Sequence, residues 1–203
     1  MKHLLNILLM SLLCLPLAGI VVACSESEDE EANEYANWQK RNDDYIADVA
    51  RKCQRIKVFT KDQLAEGKIS DYIYYQVLEE GQGGDSPYYS DTVRVGYRGR
   101  LIPTTNYPEG YVFDQTYPDV FQWQTTGVLT FTQTNLVDGF TTALQHMHRG
   151  DRWLVYIPYQ LGYNTTTKEG IPAYSTLIFD IALIDFTHPG YSLPTWSVRR
   201  DNP

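Results

Sequence analysis

The sequence predicts an α+β fold in which an antiparallel β-sheet wraps around one short helix, with a separate helix before it. Residues 92–101 alternate apolar and polar side chains, and residues 176–185 place Leu177, Phe179, Ile181 and Leu183 on one side. Both runs have the period of two that is typical of an antiparallel strand. Residues 136–147 instead carry apolar side chains at steps of three and four, which is the spacing of one helix face. Since each element is apolar on one side, the sheet and the helix are expected to bury those sides against each other.

Residues 1–23 have the composition of a secretory signal. A positively charged start precedes a long apolar run that ends in small residues before Cys24. Residues 21–24 (VVAC) resemble the lipobox of bacterial lipoproteins, which implies cleavage before Cys24 and lipidation of that cysteine. A transmembrane anchor is the alternative, because the run is nearly long enough to span a bilayer. Pro16 and Gly19 within the run favour cleavage.

Residues 24–34 form an acidic segment that cannot bury a core and is predicted to be a flexible tether. Acidic runs after a lipidated cysteine also mark surface lipoproteins in some Gram-negative bacteria, so a surface-export tag is the second interpretation. Leader and tether together predict a bacterial cell-envelope location, lipid-anchored to a membrane. The outer membrane is favoured, and exposure at the cell surface is left open. The net charge of −8 argues against a nucleic-acid partner.

Residues 35–71 are predicted to form a helical neck and a connection. Apolar residues at helical spacing mark one stripe of an amphipathic helix over residues 33–56: Tyr35, Trp38, Tyr45, Val49, Cys53 and Ile56. The stripe must pack against the following domain or against a second copy of itself. A homodimer through this helix is therefore the alternative to docking in cis. Cys53 is predicted to pack as a small apolar residue.

Residues 72–187 are predicted to form the main domain, followed by an extended tail over residues 188–203. Asn135 is expected to be the N-cap of the central helix and Gly150 its stop. The region 121–134 suggests strands around a turn at Gly127. Other strands are expected at residues 72–78, 92–101, 111–114, 152–158 and 176–185.

Separated segments of this domain form an ordered set of motifs. They are Val112-Phe113-Asp114, then residues 136–140 (LVDGF), then Ile157-Pro158 with Leu161-Gly162-Tyr163, and finally residues 171–179 (IPAYSTLIF). In order and spacing, these motifs resemble those of the FKBP-type peptidyl-prolyl cis-trans isomerases. The resemblance extends from Thr92 to Phe186 and implies the FKBP-like form of the predicted fold.

The resemblance also implies which residues line a substrate pocket. Four of them are implied to be catalytic: Asp114, Tyr163, Tyr97 and Phe113. Five are implied to bind substrate: Leu136, Val137, Phe140, Ile171 and Phe179. In this interpretation Tyr163 holds the substrate carbonyl, Asp114 orients Tyr97, and a backbone N–H near Ile171 or Val137 fixes the substrate strand. Three features depart from the family: Phe140 falls where tryptophan is usual, Asn164 falls where glycine is usual, and residues 127–134 are unusual.

The reaction implied is the cis-trans isomerisation of X-Pro bonds in unfolded or exported polypeptides, which assists their folding. Twisting the amide breaks a resonance that gives a barrier of about 18–20 kcal/mol. Because the twisted amide is less polar than the planar one, a dry aromatic pocket favours it without a nucleophile, a metal or a cofactor. The alternative is a catalytically weak FKBP-like module that binds chains as a chaperone on a surface lipoprotein.

Overall fold

A computed structural model describes residues 34–118 and 120–195. The helices are α1 (Trp38–Ala50) and α2 (Asp138–Leu144). The strands are β1 (Gln54–Lys57), β2 (Tyr72–Glu79), β3 (Thr92–Arg100), β4 (Val112–Gln115), β5 (Leu129–Thr132), β6 (Arg152–Ile157) and β7 (Leu177–Thr187). Within the described ranges these seven strands form one antiparallel sheet in the order β1-β2-β6-β7-β3-β4, and β5 also pairs with β3. The predicted α+β fold class is confirmed.

The two alternating runs found in the sequence are the neighbouring strands β3 and β7. Val93 and Val95 of β3 and Ile181 of β7 are fully buried in the main core. Strand β7 pairs with β3 on one side and with β6 on the other, so it lies in the middle of the sheet. Its second face is covered as well, because Tyr117 and Phe121 pack on Ala182. Strand β7 is therefore more buried than a simple alternation would require.

Helix α2 packs its apolar face against the sheet. Phe140 and Leu144 are buried in the same core as Ile157 of β6. Gly139 allows the helix to approach closely, because a Cβ at this position would lie 2.4 Å from Ile157 Cγ2. Gly139 therefore sets how closely the start of α2, which carries one of the site motifs, approaches the sheet.

The bounds of α2 differ from the prediction at both ends. Asn135 is not the N-cap: Gln133–Asn135 is a separate 3₁₀ turn, and Val137 occupies the cap position. The prediction failed because the Leu136 N–H closes that turn on Gln133 O at 3.1 Å. The helix ends at Leu144, before the predicted stop. Gly150 lies in the turn that leads into β6, where its φ of +88° suits glycine.

Helix α1 docks on its own domain. Trp38, Ile46 and Val49 are buried, and the last two pack on Tyr74 of β2. The helix is shorter than the predicted 33–56, since it ends at Ala50. Ile56 lies in β1 and pairs with β2 rather than continuing the helical stripe.

The two ends of the chain are described only in part. The predicted signal, Cys24 and most of the tether lie outside the described residues. Among those described, no helix has the length and apolar character needed to cross a membrane. At the other end, Arg94 Nη2 donates to Pro194 O at 2.8 Å and ties the tail to β3.

Candidate active site

One pocket of about 550 Å³ opens between the sheet, the start of α2 and the segment that follows β6. Every pocket residue predicted from the sequence lines it: Tyr97, Phe113, Asp114, Leu136, Val137, Phe140, Tyr163, Ile171 and Phe179. They come from β3, β4, the α2 start, the loop before β7 and β7 itself. The structure therefore brings together all nine positions, while the role of each remains a prediction. Cys24, the predicted lipidation site, lies outside the described residues.

The polar part of the pocket is a hydrogen bond between two strands. The Tyr97 hydroxyl on β3 donates to Asp114 Oδ2 on β4 at 2.5 Å. Tyr97 is buried, whereas Asp114 is exposed at the pocket mouth. Burial raises the pKa of the Tyr97 phenol, and the hydrogen bond to Asp114 raises it further. The phenol is therefore held neutral, with its proton directed at the carboxylate.

The apolar part of the pocket consists of phenyl rings that meet edge to face. The ring of Phe179 contacts those of Phe140 and Phe113, with centroids 5.0 and 5.5 Å apart. Tyr97 is perpendicular to Phe140 at 6.0 Å. Gly99 makes this packing possible, because a Cβ there would lie 2.6 Å from Phe179 and 2.7 Å from Phe113. Such ring pairs form a dry, shaped wall.

The remaining wall comes from the loop before β7. Tyr163 is half-buried, and burial raises the pKa of its phenol, with a further contribution from Asp114. Asn164 follows with a φ of +56°, a left-handed conformation that glycine would also adopt and that asparagine tolerates best among other residues. Lys168 and Ile171 then pair through both backbone N–H groups, at 2.9 and 3.0 Å, which brings the buried Ile171 to the pocket.

The sequence did not identify four further residues of the lining: Phe131, Asn135, Lys168 and Glu169. Phe131 packs against Phe140, with ring centroids 6.4 Å apart, and so widens the aromatic floor. It lies in the region where the strand pattern was weakest. Lys168 lies 5.8 Å from the centre of the Tyr163 ring. The spacing of Tyr163 and Ile171 could have indicated that the loop between them reaches the rim.

The donor set of this pocket fits non-covalent chemistry. Its polar groups are the hydrogen-bonded Tyr97–Asp114 pair, the Tyr163 phenol, the Asn135 amide and the charged ends of Lys168 and Glu169. Phenyl and aliphatic side chains form the rest of the lining. Within residues 34–118 and 120–195, no three His, Cys, Asp or Glu side chains lie close enough together to hold a metal ion. The pocket can enclose a small apolar ring and offer a hydrogen bond to a carbonyl beside it.

Comparison with known proteins gives the same family. Residues 83–184 match the model of the family described as FKBP-type peptidyl-prolyl cis-trans isomerase. The chain is 31% identical to the Macrophage infectivity potentiator of Trypanosoma cruzi, over 86% of this chain and 82% of that one. It is 37% identical to the FKBP-type peptidyl-prolyl cis-trans isomerase FkpA of Escherichia coli K12, over 56% of this chain but only 37% of FkpA.

Two further similarities concern an envelope protein and a solved structure. The chain is 36% identical to the Outer membrane protein MIP of Legionella longbeachae, over 55% of this chain and 43% of that one. The crystal structure of FkpA from Escherichia coli superposes with a TM-score of 0.57 and 27% identity, over 81% of this chain and 66% of FkpA. Given the family match and the relative that is covered for most of its length, the chain belongs to the FKBP-type peptidyl-prolyl cis-trans isomerases, of the bacterial Mip and FkpA kind.

Proposed function

We propose that this chain accelerates cis-trans isomerisation of X-Pro bonds in unfolded or exported polypeptides, and that it does so in the pocket described above. The observation that carries the proposal is the pair of edge-to-face contacts that Phe179 makes with Phe113 and Phe140, beside the Tyr97–Asp114 hydrogen bond. An apolar recess with one polar edge matches a prolyl ring and its preceding carbonyl. The family assignment supports the same reaction.

The proposed mechanism lowers the barrier through the change in solvation of the substrate amide, without covalent chemistry. A planar amide is well solvated by water, whereas the twisted amide has lost conjugation and polarity. Transfer into the aromatic recess therefore disfavours the planar ground state more than the twisted transition state. Phe140, Phe179 and Phe113 surround the prolyl ring, and no bond to the protein forms or breaks.

Polar groups of the pocket hold the substrate while its amide turns. In this proposal the Tyr163 hydroxyl donates to a substrate carbonyl. The Ile171 N–H already donates to Lys168 O at 3.0 Å, so the Val137 N–H is the better candidate to fix the substrate strand. Asp114 fixes the Tyr97 ring through the 2.5 Å hydrogen bond and is assigned no proton transfer.

A proline-isomerisation assay on peptides with an apolar residue before proline tests this function. Wild type is expected to accelerate the reaction. Asp114→Ala is expected to lower kcat/KM about tenfold or more, because a hydrogen bond to a charged group contributes about 1.5–3 kcal/mol. Tyr163→Phe is expected to lower it about three- to tenfold, because a neutral hydrogen bond contributes about 0.5–1.5 kcal/mol.

Asp85→Ala, at an exposed carboxylate away from the pocket, is the matched control and should keep full activity. Asp85→Ala and Tyr163→Phe should unfold at urea concentrations close to that of wild type, because Asp85 is exposed and Tyr163 is only half-buried. Asp114→Ala should unfold at a lower concentration, because the buried Tyr97 hydroxyl loses its acceptor, so its activity is compared without urea, where all variants are folded. A wild-type protein that binds unfolded chains without accelerating isomerisation would contradict the proposal in favour of a binding module.

We also propose that the chain works in the bacterial cell envelope, anchored through lipid on Cys24. The apolar leader, the VVAC sequence at residues 21–24 and the acidic residues after Cys24 support this. The name of the Legionella longbeachae relative, Outer membrane protein MIP, supports the outer membrane as the location. A single lipid chain gives only marginal membrane binding, whereas several lipid chains on Cys24 would hold the protein firmly.

Membrane fractionation of Cys24→Ala tests the anchor. The variant is expected to leave the membrane fraction, while wild type remains in it and carries a blocked N-terminus at Cys24. Protease treatment of intact cells then distinguishes a surface location from the inner face of the outer membrane. A wild type that is soluble and keeps residues 1–23 would contradict the lipoprotein hypothesis.

A homodimer through α1 remains a separate hypothesis. The apolar residues Trp38, Ile46 and Val49 are buried against the sheet and the loop before β7, so a dimer formed through this helix would use its polar face. Light scattering of the protein at increasing concentration tests it: a mass that doubles supports the dimer, and a constant monomer mass contradicts it.

A further inference from the structure

Helix α1 contacts the loop that carries one wall of the pocket. The Trp38 indole N–H donates to Ser175 Oγ at 2.9 Å, across 137 residues of the chain. Four residues further along the helix, Asn42 Oδ1 accepts from the Thr176 backbone N–H at 2.7 Å. Trp38, Asn42, Ser175 and Thr176 are all buried. These two hydrogen bonds are therefore shielded from water, and each holds a fixed geometry.

The contact continues to the pocket wall. Ser175 Oγ donates in turn to Pro172 O at 2.6 Å, and Pro172 is the neighbour of Ile171 in the pocket lining. Within α1, Asn42 Nδ2 donates to Trp38 O at 2.8 Å, which orients the Asn42 amide toward Thr176. The path from α1 to Ile171 thus consists of a buried hydrogen bond to Ser175, a partly buried one to Pro172 and the peptide bond that joins Pro172 to Ile171.

The loop at the end of this path has an unfavourable backbone conformation. Tyr174 has a φ of +64°, which is uncommon for a residue with a large side chain. Such conformations persist only where the surroundings hold them. On one side the Tyr174 N–H donates to Asn164 O at 2.9 Å, next to Tyr163. On the other side follow Ser175 and Thr176, the two residues that α1 binds.

We propose that Trp38 and Asn42 are positioning residues for the isomerase reaction. By holding Ser175 and Thr176 they keep residues 171–176 in the conformation that sets Ile171 and Tyr163 at the correct distance across the prolyl recess. The helix that follows the predicted tether is then part of the pocket's support rather than a spacer. This inference rests on the proposed function, because it concerns the geometry of the same pocket.

If α1 only stabilised the domain, any change that weakens its docking would affect the pocket equally, so a control variant is needed in the part of the helix that does not bind the loop. In the second half of the helix, Ile46 and Val49 pack on Tyr74. The hydrogen bonds to Ser175 and Thr176 come instead from the first half, from Trp38 and Asn42. Val49→Ala should therefore weaken the docking of α1 without loosening the loop. Trp38→Phe keeps an aromatic ring but removes the N–H donor, and Ser175→Ala removes the acceptor.

The experiment compares Trp38→Phe, Ser175→Ala, their double variant and Val49→Ala in the full chain. Trp38→Phe loses one buried hydrogen bond and is expected to lower kcat/KM about three- to tenfold, and Ser175→Ala, which also loses the bond to Pro172 O, at least as much. The double variant should lose less than the product of the single losses, because both changes break one path. Val49→Ala should keep kcat/KM within about twofold while unfolding at lower urea concentration.

Hydrogen exchange at the backbone amides of Ile171 and Tyr174 provides a measurement that does not depend on activity. Both should exchange about tenfold faster in Trp38→Phe and remain protected in Val49→Ala. Unchanged exchange in Trp38→Phe overturns the inference whatever the activity. Equal losses of kcat/KM in Trp38→Phe and Val49→Ala also overturn it. A wild type without any acceleration contradicts the proposed function instead, and the exchange data still decide whether α1 holds the loop.

Discussion

At the scale of single residues, two departures from the family pattern, Phe140 and Asn164, leave the pocket intact. Phe140 replaces a larger indole, yet it is surrounded edge to face by Phe179, Tyr97 and Phe131. Phe131 fills space beside the smaller ring. Asn164 replaces glycine at a φ of +56°, which is the backbone conformation where asparagine is the least costly substitute. Each departure thus has a local compensation.

Gly99 lies directly behind two rings of the pocket wall and leaves no room there for a side chain. Gly99→Ala would place a methyl group 2.6 Å from Phe179 and 2.7 Å from Phe113. Phe179 is buried among several rings, so the half-buried Phe113 is expected to move into the prolyl recess. We expect KM to rise about tenfold, with overpacking costing about 1–3 kcal/mol of stability.

Gly96→Ala in the same strand is the control for this change. Its methyl group would lie 2.8 Å from Thr126 Oγ1, on the other face of β3 from Tyr97. It should lose stability and keep its KM. Kinetics and urea unfolding of both variants give the comparison, and an unchanged KM in Gly99→Ala would refute the assigned pocket wall.

At the scale of elements, the sequence predicted what depends on local pattern and missed what depends on pairing. Strands β3 and β7 were located within one or two residues, because every second side chain in each of them is apolar and faces the main core. The helix before them was predicted too long: Ile56 keeps the helical spacing, but it pairs with Ile73 once β1 meets β2. Phe131 was missed because β5 is short and mostly exposed, so its sequence carries no clear period.

The position of α2 relative to β6 gives a prediction at this scale. Gly139→Ala would place a methyl group 2.4 Å from Ile157 Cγ2, so the helix must move away from the sheet. We expect a loss of about 1–3 kcal/mol in the free energy of unfolding, measured by urea titration. Adding Ile157→Ala removes the opposing side chain, and the double variant should be more stable than the sum of the single losses predicts. Strictly additive losses would show that the contact does not set the helix position.

At the scale of the whole molecule, tyrosines join the layers of the domain. Tyr45 of α1 packs on Tyr156 of β6, and Tyr74 of β2 packs with Ile46 and Val49 of α1. The pocket is bordered by two more, Tyr97 and Tyr163. For the set as a whole, burial is the main cause of a raised phenol pKa: Tyr45, Tyr74, Tyr97, Tyr117, Tyr156 and Tyr163. The docking of α1 and the shape of the pocket therefore both depend on buried tyrosines whose hydroxyl groups keep their protons.

This shared dependence predicts that the domain loses stability as the pH rises above about 10, where tyrosines of the unfolded chain release their protons. The folded chain keeps those protons, because its phenol pKa values are raised, and so it binds more protons than the unfolded chain. The free energy of unfolding then falls with rising pH, by up to about 1.4 kcal/mol per pH unit for each phenol retained. For Tyr45, whose pKa is raised to about 12, the loss accumulates between the unfolded value and that pH. Tyr45→Phe should make the free energy of unfolding fall less steeply with pH, by the contribution of one retained proton. Urea unfolding at several pH values and phenolate absorbance measure this. Tyr191→Phe, which changes an exposed phenol, is the matched control. An identical slope in wild type and Tyr45→Phe would contradict the burial of this phenol between α1 and β6.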